Sequence, residues 1–247
     1  MMRRLCFLTV AMLLTFAAAA QQWTGTSGLL HVPSADMSAV GELRVGGHFL
    51  NKAMTPDTGF IYLGSKYHAY NYYLSVTPYR WIELSIVSTA RKNHPGDQLF
   101  EGYGGKDRHV SIKIRPFKEG KVLPAFAFGF DDAGTTIFNS KRSDVQLYFS
   151  NWYVAATKHF DLGGNQLGLH LSYRHFYRGY NAKWNGMVGG ITFSPSFLPQ
   201  AHAIVEYTGN EWQVGLDAVV FKHLMLQASL KDFKYLNAGL CLRFDLN

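Results

Sequence analysis

Residues 212–246 read WQVGLDAVVFKHLMLQASLKDFKYLNAGLCLRFDL, three alternating runs separated by two tight breaks. In the first, Trp212, Val214, Leu216, Ala218 and Val220 alternate with Gln213, Gly215 and Asp217. In the second, Leu224, Leu226, Ala228 and Leu230 alternate with Gln227, Ser229 and Lys231. In the third, Ala238, Leu240, Leu242, Phe244 and Leu246 alternate with Asn237, Gly239, Arg243 and Asp245. Side chains two residues apart share a face of a strand, so each run has one apolar face and one polar face.

The pattern recurs upstream. Val110, Ile112 and Ile114 alternate with Ser111, Lys113 and Arg115, and Leu167, Leu169, Leu171 and Tyr173 with Gly168, His170, Ser172 and Arg174. Extended along the chain, it predicts an all-β antiparallel barrel of about twelve strands, each near the length that a tilted membrane-crossing strand requires. The expected spans are 41–50, 67–76, 81–90, 107–116, 122–131, 143–154, 165–175, 185–195, 200–208, 211–220, 223–232 and 236–246. Long connections at 51–66, 91–106, 132–142 and 176–184 alternate with short ones at 77–80, 117–121 and 196–199, with 155–164 intermediate. Outer-membrane barrels sort their loops and turns in this way, and an even strand number puts both termini on the short-turn, periplasmic side.

Composition agrees. Hydrophobic residues are 47% and charged residues 17%, which excludes a disordered, solvating chain. Ahead of the strands, Arg3 and Arg4 precede an uncharged, mostly apolar run ending in Ala17-Ala18-Ala19-Ala20, the form of a signal peptide (1–20) cleaved before Gln21. Its removal takes Cys6 and leaves Cys241 alone, so the mature chain has no internal disulfide and no Cys-based metal site. It also leaves 22 Lys and Arg against 17 Asp and Glu, a net of +5, weak for a nucleic-acid protein. Localisation in the outer membrane of a Gram-negative bacterium follows, with lipid and lipopolysaccharide as contacts and no nucleic acid.

Charge placement supports a barrel spanning 41–247. A lipid-facing Lys or Arg at mid-membrane costs about 2–4 kcal/mol. Arg44, Lys113, Arg115, Arg174, Glu206, Asp217, Lys231 and Arg243 all fall on the polar phase of their strands, where mutual pairing in the lumen is expected. Aromatics collect near strand ends: Tyr79 and Trp81, Trp152 and Tyr153, Tyr177 and Tyr180, Trp184, Tyr207 and Trp212, Phe233 and Tyr235, as interfacial girdles do. The four long loops carry nine bases and four acids, which suits contact with anionic headgroups or acidic sugars. The ending Asn237 to Phe244 resembles the terminal-strand signal of bacterial barrels, apart from its final Asp245-Leu246-Asn247.

The segment 21–40 is neither a strand nor a helix, because Gly25, Gly28 and Pro33 break both. It reads as a plug folded into the lumen or as a periplasmic tether for a partner. In Gly28, Leu29, Pro33, Ser34, Ala35 and Met37 the chain resembles the YjbH family of outer-membrane proteins linked to extracellular polysaccharide production. Larger members look like two barrel-like halves, and this sequence has room for one. The resemblance implies a component of exopolysaccharide secretion or assembly, with extracellular polysaccharide and periplasmic or lipoprotein partners.

Other readings compete. A structural or passive small-solute barrel needs no site. A lipid A deacylase-like esterase would use His170 as base and Ser172 as nucleophile, two residues apart on one strand, with Glu206 or Asp217 orienting the imidazole. The surrounding residues lack the rest of that pattern. His48, His109, His170 and His202 would have to converge from separate strands to bind a metal. The expectation is therefore a non-enzymatic barrel with no metal, no cofactor and no catalytic residues.

Overall fold

The alternating runs pair edge to edge until the sheet meets itself. The computed structural model describes residues 20–92, 102–132 and 147–246, so nearly all of the expected signal peptide lies outside the described residues. Along the chain the strands are β1 (Glu42–Leu50), β2 (Ile61–Tyr62), β3 (Ser65–Lys66), β4 (Ala69–Tyr79), β5 (Ile82–Arg91), β6 (Gly105–Phe117) and β7 (Ala125–Asp131). They continue with β8 (Asn151–Leu162), β9 (Asn165–Phe176), β10 (Gly186–Ser194), β11 (Ala201–Tyr207), β12 (Trp212–Val220), β13 (Leu224–Lys231) and β14 (Tyr235–Asp245). All but the small β2–β3 hairpin form one closed, antiparallel, 12-stranded barrel. The first strand closes it, pairing Val45 with Leu242 of β14 on one side and Leu74 of β4 on the other.

Closure satisfies every strand edge, and the two faces sort by chemistry. In β4 the burial alternates so that Ala69, Asn71, Tyr73, Ser75 and Thr77 point inward while Tyr70, Tyr72 and Leu74 point outward. Outside, Ile86, Leu171, Leu216 and Leu240 are more than half exposed, while Lys113 and Glu206 inside have no exposure at all. In β7 the inner face is Ala125, Ala127 and Gly129, small because Tyr153 and Ala35 pack against it. Tyr153 and Trp184 are themselves buried, so these two do not join an aromatic girdle. Tyr79 and Trp81 do lie outside, stacked at 6.0 Å.

One expected strand is corrected. Of the span 143–154, residues 143–146 lie outside the described residues and 147–150 are not a strand; β8 begins at Asn151 and continues to Leu162. Leu147, Tyr148, Phe149 and Ser150 are buried in succession, not alternately, because they fold across the barrel mouth onto Trp23 and Phe60. The intermediate connection at 155–164 accordingly reduces to the two-residue turn Gly163-Gly164, with φ +68° and +90°. Both values suit the left-handed turn that joins twisted hairpin strands, and glycine takes it without strain. With that change, long and short connections alternate strictly from β1 to β10. Entry to β1 and exit from β14 share the short-turn end.

Candidate functional site

The lumen holds the segment that precedes β1. Residues 20–35 are buried without interruption. The segment makes two tight reversals, with Gln22 N–H to Thr26 O at 2.9 Å and Leu29 N–H to Val32 O at 3.0 Å. Isolated bridges Gln21 to Ser27 and Gly28 to Pro33 hold the reversals together. Such a strand-free segment leaves most backbone groups unpaired, and burial without partners is costly. The barrel wall supplies those partners.

Glu206 of β11 accepts the N–H groups of Leu30, His31 and Val32 at 3.2, 2.9 and 3.0 Å. Glu83 of β5 accepts the Ser27 N–H at 2.9 Å, the Ser27 hydroxyl at 2.9 Å and the Ser38 hydroxyl at 3.3 Å. Lys113 of β6 donates to Ser27 O at 2.8 Å and also to Asp36 O. Arg174 of β9 reaches His31 O at 2.9 Å, Asn71 of β4 reaches Trp23 O at 3.0 Å, and Thr157 of β8 accepts from Ala35 N–H at 2.9 Å. The bonds with a charged partner, those of Glu206, Glu83, Lys113 and Arg174, are the strong ones, and burial strengthens them further.

The expected lumen charges thus divide. Arg44 and Arg243 stand directly opposite one another across the closing seam, and Glu42 lies between them at 2.7 and 2.6 Å. Lys231 pairs with Glu211 at 2.7 Å, and Asp217 with His202 at 2.6 Å. Arg115 donates to Arg80 O at 3.1 Å. Lys113, Arg174 and Glu206 instead serve the N-terminal segment. Mutual pairing therefore accounts for only part of the set; the segment's unpaired backbone claims the rest.

The motif residues sit at the contact. Leu29 and Leu30 pack with Val32, Val188 and Ile204, and a Cβ at Gly190 would stand 2.4 Å from the Leu29 methyl. Pro33 O accepts the Ser172 hydroxyl at 2.6 Å. Ser34 donates to the Asp36 carboxylate at 3.1 Å, Ala35 packs on Tyr153, and Gly28 lies against the Gln22 side chain. Met37 is half-buried beyond them. His31 lies between Trp23 and Trp184 at 5.0 and 5.1 Å.

The esterase pair is not assembled. Ser172 gives its hydrogen to Pro33 O, while His170 lies within 3.1 Å of Thr157 and Thr192 hydroxyls. Glu206 and Asp217 are engaged as described above, neither with His170. His48 bonds Gln227 at 3.2 Å and His109 packs on Phe149, so these two do not gather with His170 and His202. At the opposite, long-loop end, Asp57 clasps Lys66 at 2.7 Å and Lys183 at 3.0 Å, tying two loops together. A cavity of about 30 Å³ beside Trp23, His31 and Met54 is among the spaces left inside.

Comparison with known proteins gave one family. Residues 20–243 match the YjbH family, described as "Exopolysaccharide biosynthesis protein YbjH". No curated protein matches the chain. Among solved structures, outer membrane phospholipase A from Escherichia coli is 11% identical with a TM-score of 0.38, over 85% of this chain and 98% of that one. The calcium-bound phospholipase dimer from Salmonella typhi gives 12% and 0.37, over 84% and 91%. OprB of Pseudomonas putida gives 8% and 0.32, over 82% and 90%. These scores are too low for function to be inferred from them.

Proposed function

The chain belongs to the YjbH family, and on that premise we propose that it is a plugged, non-enzymatic outer-membrane barrel serving exopolysaccharide secretion or assembly. The observation that carries this reading is the lumen filled by residues 21–38 and bonded to them through Glu83, Lys113, Arg174 and Glu206. A transport pore for small solutes has no use for such a filling. An esterase has no use for a serine whose hydroxyl is committed to Pro33.

The outer membrane is favoured by the apolar exterior and the inward charges together, since in water the first would aggregate and in lipid the second would be costly if reversed. The signal peptide ends at Ala20 in this reading, so that Gln21 opens the mature chain inside the lumen. The short-turn end then faces the periplasm. There the chain passes from the lumen into β1 through residues 36–41, the place where periplasmic or lipoprotein partners would meet the plug. The long loops, with Lys52 and Lys183 among them, face lipopolysaccharide and polysaccharide.

The test is surface polysaccharide yield in a deletion strain. Restoring the intact gene should restore the yield. A gene lacking codons 28–37 should not, provided its product still reaches the outer membrane as a heat-modifiable barrel. Full rescue by that shortened gene, or an unchanged yield on deletion, would overturn the reading.

A further inference from the structure

At the short-turn end three side chains from different elements meet. Asp36 closes the N-terminal segment, His159 lies on β8 and His170 on β9. Imidazole Nε2 of His159 is 3.7 Å from Asp36 Oδ1, and Nδ1 of His170 is 3.5 Å from Asp36 Oδ2. One donor atom from each lies within 4.8 Å of the others. Both measured separations are too long for good hydrogen bonds. They are near the distance of about 3.3 Å between donors of a tetrahedral zinc site with bonds of about 2.0–2.1 Å.

The hydrogen bonds around the three residues bear on which of their atoms can face a cation. Nδ1 of His159 is 2.8 Å from Glu119 Oε2, and an ionised carboxylate only accepts, so the proton sits on Nδ1. Unless the ring is charged, Nε2 then presents a lone pair to Asp36. Thr157 Oγ1 accepts from Ala35 N–H and lies 3.1 Å from Nδ1 of His170, whose Nε2 lies 3.1 Å from Thr192 Oγ1. With the ring hydrogen on Nε2 toward Thr192, the single lone pair of Nδ1 lies on the side of Thr157 and Asp36, and a cation bound there replaces the Thr157 hydrogen. Lys113 bonds the Asp36 carbonyl, not its carboxylate, and Lys158 is 3.1 Å from Glu119. Asp36 Oδ2 also takes the Ser34 hydroxyl; the lone pairs left on this carboxylate, on Nε2 of His159 and on Nδ1 of His170 meet at a point where a cation or a proton stabilises them.

We propose that Asp36, His159 and His170 bind a divalent transition-metal cation of the zinc class, which clips the N-terminal segment to the barrel wall. Two neutral imidazoles and one carboxylate are the donor set such ions favour, and calcium or magnesium would not choose it. Glu119 orients His159 from behind, as carboxylates do for metal-bound histidines. Asp36 and His159 are each about a quarter exposed at the barrel end, which leaves an entry path and room for a water as fourth ligand. The inference rests on the seating of Asp36, not on the polysaccharide reading.

The experiment uses the full mature chain, folded in detergent and stripped with chelator, titrated with zinc by calorimetry. The expected result is one saturable site per chain, weakened by at least about tenfold in Glu119→Gln and lost in Asp36→Asn and His159→Ala. Zinc should also raise the wild-type melting temperature and slow proteolysis of the N-terminal segment, with equal calcium doing neither. Heat-modifiable migration identifies the variants that remain folded; His159 is at the rim, so His159→Ala is the safest of them. No saturable binding by the wild type, or binding unchanged in folded His159→Ala and Glu119→Gln, would overturn the proposal.

Discussion

The carboxylate of Glu206 stands 2.9 Å from the backbone nitrogen of His31, across 175 residues of sequence. It also takes the N–H groups on either side, so one side chain satisfies three donors that no strand could reach. Glu206→Ala leaves those three N–H groups buried and unpaired, with the nearby Arg174 short of a counter-charge. The expected loss is about 3–5 kcal/mol of stability in urea unfolding. Glu206→Gln, which keeps one acceptor oxygen, should lose less than half as much. Equal losses in the two variants would mean that volume, and not the accepting oxygens, matters at this position.

The wall at the same place is shaped for the segment. A Cβ at Gly190 would meet the Leu29 methyl at 2.4 Å, Val205 O at 2.7 Å and Glu206 Cβ at 2.9 Å. Gly190→Ala should cost about 1–3 kcal/mol by overpacking. Leu29→Ala alone should cost about 2–5 kcal/mol by opening a cavity. Together they should cost less than their sum by about 1 kcal/mol, because shortening Leu29 removes one of the three clashes. Strict additivity in this double-mutant cycle would separate the two residues.

These contacts explain what could be read in the sequence. The period-two runs fix the barrel because lipid outside and a polar lumen inside impose one chemistry on each face, and eleven of the twelve expected spans overlap their strands closely. The exception shows the limit. Leu147 and Phe149 alternate with Gln146 and Tyr148 as a strand would, but their apolar surface is used to cover the mouth. The Gly163-Gly164 pair was the stronger signal, since two-residue hairpins need left-handed residues. Placing that turn correctly puts His159 and His170 on the same inward face, with His159 opposite Gly168 and His170 opposite Thr157. The cradle was less legible. Inward charges are visible in the alternation, but backbone N–H groups carry no sequence signature, so nothing in Glu206 says that it accepts from residues 30–32.

Ser172 separates the structural role from the catalytic one. Its hydroxyl donates to Pro33 O at 2.6 Å, and Ser172→Ala should remove about 1 kcal/mol of stability. Mass spectrometry of lipid A should show the same acyl pattern in cells carrying the wild type, Ser172→Ala or no copy of the gene. An acyl chain removed only by the wild type would restore the esterase reading.

The loop clasp carries a pH dependence whose sign follows from Asp57. Burial works against its charged form, but hydrogen bonds and charge from Lys66 and Lys183 outweigh it and hold the carboxyl below its usual range. Burial and the adjacent Lys183 charge lower Lys66 as well, so the clasp's acid response rests on the carboxylate. A depressed carboxyl contributes fully above its unfolded value, about 3.9, and loses that contribution as pH falls through the folded value. Limited proteolysis of the loops at 51–68 and 177–185 should therefore be faster in Asp57→Asn than in the wild type, by the same ratio from pH 7 to about pH 5. Below about pH 4 the two should converge, as the wild type loses its clasp. Because Asp57 is half exposed, added salt should shrink the difference at neutral pH. A ratio that grew as pH fell would assign the ordering of these loops to a group other than Asp57.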